Sequence, residues 1–119
     1  MAFEGWNDAG DAASGAAAFL LGQASPEPFA IVEPEEFYDF QVRRPEVTVD
    51  DGGTRRLGWP DTRAFALELP DDPRDLVVVT GEEPNYRWKT YTRHLTALLA
   101  ESDVELVVTL GAFLGQVTH

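Results

Sequence analysis

The sequence predicts one α/β domain over residues 1–119, with helices packed on a largely parallel or mixed central sheet. Its length of 119 residues is typical of a single domain and sufficient for a core without disulfide bonds. Two apolar runs, "DLVVVTG" and "ELVVTLGA", have the continuous β-branched composition of strands that are buried on both faces. Segments with apolar residues at helical spacing alternate with the strands, and this order favours a layered fold.

The first elements are a strand end and a helix. Residues 1–4 are interpreted as the end of a strand, and residues 9–21 as the helix that follows. Asp8 is a suitable N-cap for this helix, and Gly22 is placed to end it. Small side chains at helical spacing predict a face that packs closely on the sheet. The residues of this face are Ala9, Ala12, Ala13, Ala16, Phe19 and Leu20.

The middle of the chain shows the alternation of apolar and polar residues that is typical of strands. Residues 29–32 are predicted to form a short strand, residues 37–42 an extended segment, and residues 63–69 a further strand. Between them, "EVTVDDGGTRRLGW" predicts a β-hairpin that turns at residues 51–53 and has a polar solvent face.

The last elements are a second helix and a final strand. The helix is predicted to begin at Pro84 or Asn85 and to end at about Glu101. Residues 105–112 are predicted to form a buried strand that closes in glycine. The apolar side of the helix is predicted to comprise Trp88, Tyr91, Leu95, Leu98 and Leu99.

Charge and composition exclude several classes of binding partner and of structural site. The formal net charge is −12, with eight arginines and one lysine, so the chain repels phosphate backbones and no nucleic-acid partner is expected. The chain has no cysteine, which excludes disulfide bonds and thiolate zinc sites. No apolar run is long enough to span a membrane, and no signal peptide is recognisable. The expected compartment is the cytoplasm.

Three predicted strands end in a polar or glycine-containing corner. In open α/β folds, the carboxyl ends of parallel strands meet at one edge, where ligands bind. Backbone amides at the two helix starts would point into the same crevice and provide a potential anion site. A purely structural role is equally open, because glycine also permits a tight turn. The candidate crevice residues are Glu4, Gly5, Trp6, Asn7, Asp8, Gly81, Glu82, Asn85 and Gly111.

No catalytic residue, cofactor or metal site is predicted. The chain lacks GxxxxGK[ST] and GxGxxG, the glycine-rich loops that bind nucleotide phosphates. Carboxylates near the corners are more typical of helix caps than of cation ligands. His94 has no serine or cysteine partner in a recognisable nucleophile motif.

Five separated segments form a pattern along the whole chain: "AFEGWNDAGDAASGA", "YDFQVRRPEV", "TRRLGWP", "GEEPNYRW" and "VVTLGAFL". Together they resemble the proteasome assembly chaperone 2 family, in its actinobacterial branch. The resemblance implies a three-layer α/β/α fold similar to purine nucleoside phosphorylases, homo-oligomers, and kinship with chaperones that help to assemble proteasome α-rings. Archaeal relatives bind the proteasome through a C-terminal hydrophobic-tyrosine-any tail. This chain departs from that pattern, because residues 116–119 are "QVTH".

Two functions follow as hypotheses. The first is a non-catalytic, assembly-chaperone-like scaffold that binds protein partners, with proteasome subunits among the candidates, through a homo-oligomer. The alternative is a nucleoside-phosphorylase-like enzyme or small-molecule binder that uses the crevice, with arginines for phosphate and Glu4 or Glu82 for ribose or base. A domain that binds only its own copies stays open as well. The candidate interface residues, in or near the hairpin, are Arg43, Arg44, Arg55, Arg56 and Trp59.

Family members usually begin before the "AFEGWNDAG" segment and continue well beyond "VTLGA". We therefore expect this chain to be the N-terminal portion of a longer domain. An incomplete sheet leaves an unpaired edge and an uncovered apolar face, so the isolated chain is expected to be marginally stable or self-associating.

Overall fold

A computed structural model describes residues 1–5 and 7–115 and shows an α/β fold. Its strands are β1 (Ala2–Glu4), β2 (Ala30–Val32), β3 (Glu46–Val49), β4 (Arg55–Gly58), β5 (Thr62–Leu67) and β6 (Leu76–Glu82), and its α-helices are α1 (Ala12–Ala24) and α2 (Trp88–Glu101). The main sheet has the order β1-β6-β5-β2, while β3 and β4 form a separate hairpin. β1 is parallel to β6, and the β5–β6 and β2–β5 pairs are antiparallel. The predicted mixed sheet and hairpin are confirmed. Among the described residues, no helix is both long and apolar enough to cross a membrane.

Helices cover both faces of the main sheet, which gives three layers. α1 buries Ala13 and Ala17 in one apolar cluster with Val78. α2 buries Tyr91 in a second cluster with Val79. Successive side chains of a strand point to opposite faces, so β6 contributes to both clusters. This double burial explains the continuous apolar composition of its sequence.

Helix α1 begins and ends later than predicted. It starts at Ala12, after a single 3-10 turn over Ala9–Asp11, and continues past Gly22 to Ala24. The left-handed residue Ser25 ends the helix and donates its backbone N–H to the carbonyl of Leu21 at 2.7 Å. A C-terminal residue in this conformation satisfies a helix carbonyl without requiring glycine at that point.

The predicted apolar face of α1 was correct at Ala13, which is buried, but wrong at most of its other positions. The residues that pack on the sheet are Ala13, Ala17 and the half-buried Leu21, which are spaced four apart. Phe19 and Leu20 are 69% and 40% exposed, respectively. Because alanine occurs all around this helix, the pattern of apolar residues does not define one face, and contacts with the sheet decide it.

Residues 37–42 form turns, so the predicted extended segment was wrong. The amides of Phe37 and Tyr38 both donate to the carbonyl of Pro34, at 2.9 and 3.1 Å. Both side chains are buried in the cluster beneath α2. Adjacent residues of a strand point to opposite faces, so burying both in one core requires a turn.

Helix α2 begins later than predicted because the preceding residues bond to this turn. The amides of Asn85 and Tyr86 donate to the carbonyl of Phe37 at 2.8 and 3.0 Å. Tyr91 and Leu95 are buried as predicted, whereas Trp88 is half exposed at the first position of the helix.

The final predicted strand is only partly formed, and the prediction that it is buried was wrong. Leu110 bridges to Ala2 in parallel orientation, and its amide donates to the carbonyl of Met1 at 2.8 Å. The Met1 amino group donates to the carbonyl of Val108 at 2.7 Å. Leu106 is 78% exposed. The segment thus lies beside β1 at the edge of the sheet, with its apolar side chains open to solvent.

Candidate functional site

The parallel register brings the predicted crevice residues to one end of the sheet. Glu4 lies opposite Glu82, and Phe3 lies opposite Gly81. Gly111 follows Leu110 on the other side of β1. We call this end the strand rim; it comprises Glu4, Gly5, Asn7, Asp8, Gly81, Glu82, Asn85 and Gly111. The predicted crevice residue Trp6 lies outside the described residues, as do residues 116–119.

Backbone hydrogen bonds join the corners of the rim to one another. The amide of Ala112 donates to the carbonyl of Asn7 at 2.7 Å, and the amide of Ala9 donates to the carbonyl of Ala112 at 3.0 Å. On the other side, the amide of Glu83 donates to the carbonyl of Glu4 at 3.0 Å. The backbone groups that make these bonds are satisfied within the chain itself.

Asp8 occupies the amino-terminal end of α1. Its carboxylate accepts hydrogen bonds from the amides of Ala13 at 2.6 Å and Ser14 at 3.3 Å, although Asp8 is separated from the helix by the 3-10 turn. The Asp8 side chain thus takes the place that a bound anion would occupy. Hydrogen bonding to the side chain of Ser14 is the main cause that lowers the pKa of Asp8, and the backbone amides of Ala13 and Ser14 lower it further.

Replacing Asp8 with asparagine should reduce the melting temperature and flatten its dependence on acid pH. The folded-state pKa of Asp8 lies below the ordinary value of 3.8. The ionised carboxylate therefore stabilises the fold fully above pH 3.8, and this stabilisation is lost as the pH falls through the folded-state pKa. Thermal unfolding measured by circular dichroism between neutral and acid pH tests this.

Asp11→Asn is the matched control for Asp8. Asp11 is the left-handed residue directly before α1, its side chain makes no capping bond, and asparagine tolerates the same conformation. An equal loss of melting temperature in both variants would contradict the role assigned to Asp8.

Glu82 and Arg43 form an ion pair at the rim. The Nε of Arg43 lies 3.1 Å from Oε2 of Glu82, and both side chains are partly buried. Burial raises the pKa of Glu82 and outweighs the opposing effect of Arg43, while the nearby carboxylates of Glu4, Glu46 and Asp61 raise it further. Arg43 was predicted to lie at an interface, but its guanidinium contacts a crevice residue of the same chain.

Beneath the rim, three hydroxyl groups form a buried chain that the sequence analysis missed. Tyr38 donates to the carbonyl of Glu82 at 2.8 Å, so the hydroxyl of Thr62, 3.0 Å away, donates to Tyr38. Thr62 then accepts from Tyr91 at 2.6 Å. Burial raises the pKa of both tyrosines above the ordinary value, which keeps them protonated as donors. The available signal in the sequence was the spacing along β5, because Thr62 and the buried Ala64 are two residues apart and lie on the same face of the strand.

The turn at residues 37–42 is bonded to the loop before α2. The amide oxygen of Asn85 accepts from the backbone N–H of Asp39 at 2.8 Å, and Tyr86 donates to the carboxylate of Asp39 at 2.7 Å. This last bond is the main cause that lowers the pKa of Asp39 and raises that of Tyr86. Two of the quoted segments, "YDFQVRRPEV" and "GEEPNYRW", therefore meet in the fold.

The other arginines are spread over the surface. Arg87 pairs with Glu36 at 2.8 Å, and Arg56 lies 4.0 Å from Asp50 in the hairpin. Arg44 and Arg55 are both exposed, and no carboxylate among the described residues pairs with either. Trp59 packs edge-on against Phe40, with ring centroids 4.7 Å apart.

Two cavities are lined by residues other than those of the rim. One, of about 220 Å³, lies between β2, β5 and α2 and is lined by Ile31, Phe37 and Leu98. The other, of about 650 Å³, borders the segment at residues 104–110. Within residues 1–5 and 7–115, histidine, aspartate and glutamate side chains form no group of three or more that could hold a metal ion.

A sequence model of the PAC2 family matches residues 2–119. The chain belongs to the PAC2 family. The resemblance drawn from the five segments is confirmed. None of the curated proteins compared with the chain matches it.

Solved PAC2 structures share this fold. A PAC2 family protein from Streptomyces avermitilis is 52% identical with a TM-score of 0.87, and the match covers 96% of this chain and 48% of that one. A proteasome-assembly chaperone homologue from Mycobacterium tuberculosis is 45% identical, with a TM-score of 0.87 and the same coverage. A protein of unknown function from Corynebacterium glutamicum, 22% identical over 87% of this chain and 38% of its own length, shows the fold alone, with a TM-score of 0.64. The PAC2 chain thus spans about half the length of the Streptomyces and Mycobacterium structures.

Proposed function

We propose that this PAC2 protein is a non-catalytic, assembly-chaperone-like scaffold that binds proteasome subunits as a homo-oligomer. The observation that carries the proposal is the similarity over 96% of the chain to a proteasome-assembly chaperone homologue. The match covers 48% of that relative, so the assembly role is a proposal and not a property read from the matched part.

The chemistry of the rim supports a binding role over a catalytic one. Asp8 bonds to helix amides, Asn85 bonds to Asp39, and Glu82 pairs with Arg43. A general base or nucleophile has to reach a substrate, and these side chains are occupied by partners within the same chain. In the alternative hypothesis the arginines bind phosphate, but Arg43 and Arg87 are both engaged by carboxylates.

Exposed apolar side chains favour protein partners. Large apolar patches on a soluble protein commonly mark surfaces that bind other proteins. The hairpin and the segment at residues 106–114 both expose such side chains. They are Val47, Val49, Leu57, Leu106, Val107, Val108, Leu110, Phe113 and Leu114.

The proposal predicts a complex between the protein and proteasome α-subunits at micromolar concentration. Native mass spectrometry of the two purified components should show masses that contain both. An unrelated acidic protein of similar size is the control for non-specific adducts. Failure to observe a complex at concentrations up to about 10 micromolar would contradict the proposal.

A further inference from the structure

The β3–β4 hairpin is separate from the main sheet and is joined to it by two short segments, which we call its legs. The first leg is residues 43–45, before β3, and the second is residues 59–61, after β4. In the described part of the chain, every hydrogen bond of residues 44–60 lies within the hairpin itself. Each leg contains a proline, Pro45 or Pro60, which has no backbone N–H to donate to the sheet. The orientation of the hairpin therefore depends on the side chains of its legs.

A side chain of each leg contacts the main body of the protein. Arg43 follows the turn at residues 37–42, and its Nε lies 3.1 Å from Oε2 of Glu82 at the end of β6. In the second leg, Trp59 packs edge-on against Phe40 and is still 46% exposed. The first leg is thus held by an ion pair and the second by a partly open aromatic contact.

Glu82 is the member of the ion pair that can change its charge, because arginine is not deprotonated in proteins. Burial raises the pKa of Glu82, Arg43 opposes this effect, and three carboxylates raise the pKa further. The ionised pair is therefore maintained against the cost of burying a charge among like charges. The titratable and charged groups that face Glu82 are Arg43 of the first leg, Glu4 of β1, Glu46 of β3, Asp61 of the second leg, and Tyr38, whose hydroxyl donates to the carbonyl of Glu82.

We propose that the Glu82–Arg43 pair is a pH-sensitive latch, which fixes the orientation of the hairpin while Glu82 is ionised and releases the first leg when Glu82 is neutral. A neutral carboxyl group bonds to arginine more weakly than a carboxylate does. The two side chains are 35% and 26% exposed, so water then competes for both. The released hairpin turns about its second leg at Trp59. This inference goes beyond the proposed function and requires neither a second copy nor a proteasome subunit.

Double electron–electron resonance on the full chain measures the orientation of the hairpin. The chain contains no cysteine, so Thr48→Cys in β3 and Thr92→Cys on α2, both exposed positions, provide the two sites for spin labels. Dilution with unlabelled chain suppresses distances between copies. At neutral pH the labels should give one narrow distance. This distance should be lost to a broad distribution as the pH falls through the pKa of Glu82, which lies above its ordinary value of 4.5.

Glu82→Gln reproduces the neutral state at any pH, because glutamine has nearly the same size and no charge. This variant should show the broad distribution already at neutral pH, with no further step as the pH falls to 4.5. Glu36→Gln is the matched control. Glu36 pairs with Arg87 at 2.8 Å, and both side chains are more than half exposed. Its loss changes the net charge equally and should leave the narrow distance. Equal broadening in both variants would show that net charge governs the hairpin and would overturn the proposal.

Melting temperatures distinguish a latch from a contact that only stabilises the fold. Glu82→Gln removes a charge that is costly to bury, so it should melt no lower than the wild type at neutral pH. Arg43→Gln leaves that charge without its partner, so it should melt at a lower temperature. Both variants should lose the narrow distance. A Glu82→Gln variant that melts well below the wild type would mean that the pair supports the whole fold, and the latch would be rejected.

Two further results would overturn the proposal. One is a broad distribution in the wild type at neutral pH, because the hairpin would then be free while Glu82 is ionised. The other is a narrow distance in Glu82→Gln at every pH together with broadening in Trp59→Leu. That result would assign the orientation of the hairpin to the aromatic contact with Phe40.

Discussion

Replacing Gly81 with alanine is expected to lower the free energy of unfolding by about 1–3 kcal/mol, the usual cost of overpacking a core. Gly81 lies in β6, opposite Phe3 of β1 on one side and Thr62 of β5 on the other. A Cβ atom at this position would lie 2.7 Å from Cα of Thr62 and would also overlap the carbonyl oxygen of Asp61. Both obstacles are backbone atoms of the sheet, so a side-chain rotation cannot relieve the overlap.

Gly15→Ala is the matched control for Gly81→Ala. Gly15 lies inside α1, and an added Cβ would meet nothing within 4 Å. Alanine is favoured over glycine in a helix, so this variant should gain about 0.5–1 kcal/mol. Urea unfolding followed by circular dichroism measures both changes. A Gly81→Ala variant as stable as the wild type would show that the strands separate at this point without cost.

Replacing Thr62 with valine is expected to lower the free energy of unfolding by about 1–3 kcal/mol, the cost of leaving a buried polar group unsatisfied. Thr62 is 1% exposed, and valine has almost the same shape. The change removes the hydroxyl that accepts from Tyr91 and donates to Tyr38. Tyr91 then keeps a buried proton without its acceptor, whereas Tyr38 retains its bond to the carbonyl of Glu82.

A double-mutant cycle tests whether this cost comes from the hydroxyl chain. Tyr91→Phe removes the stranded proton, so Thr62→Val should cost less in the Tyr91→Phe background than in the wild type. Chemical unfolding of the wild type, the two single variants and the double variant gives the coupling energy. Additive costs would mean that the two hydroxyls do not act together in the folded protein.

Both predicted effects arise where elements distant in sequence approach one another. The sequence predicted Gly81 as a corner glycine. The structure gives the reason that no side chain fits there, which is the close approach of the backbone at Asp61 and Thr62. Thr62 and Tyr91 belong to a strand and a helix separated by the whole of β6. The pattern of neighbouring residues carries no information about contacts between distant elements. The hydroxyl chain was therefore not predicted.

The accuracy of the predicted elements follows the strength of their local signal. The hairpin was located correctly because Asp50 to Gly53 forms its turn within a few residues, and β6 was located because valines suit a strand that is buried on both sides. The face of α1 and the turn at residues 37–42 were wrong, since alanine packs on any side and aromatic residues suit both strands and turns in a core.

The amino-acid sequence by itself determined the α/β class, the positions of the main strands and helices, and membership of the PAC2 family, because periodic apolar patterns and ordered motifs are properties of neighbouring residues. Only the tertiary structure decided which groups meet at the strand rim. There Asp8 binds the start of α1, Arg43 pairs with Glu82, and the carbonyl of Glu82 ends the hydroxyl chain. Hydrogen bonds and ion pairs act over a few ångströms in space, and strand register, which the local pattern does not specify, sets those distances.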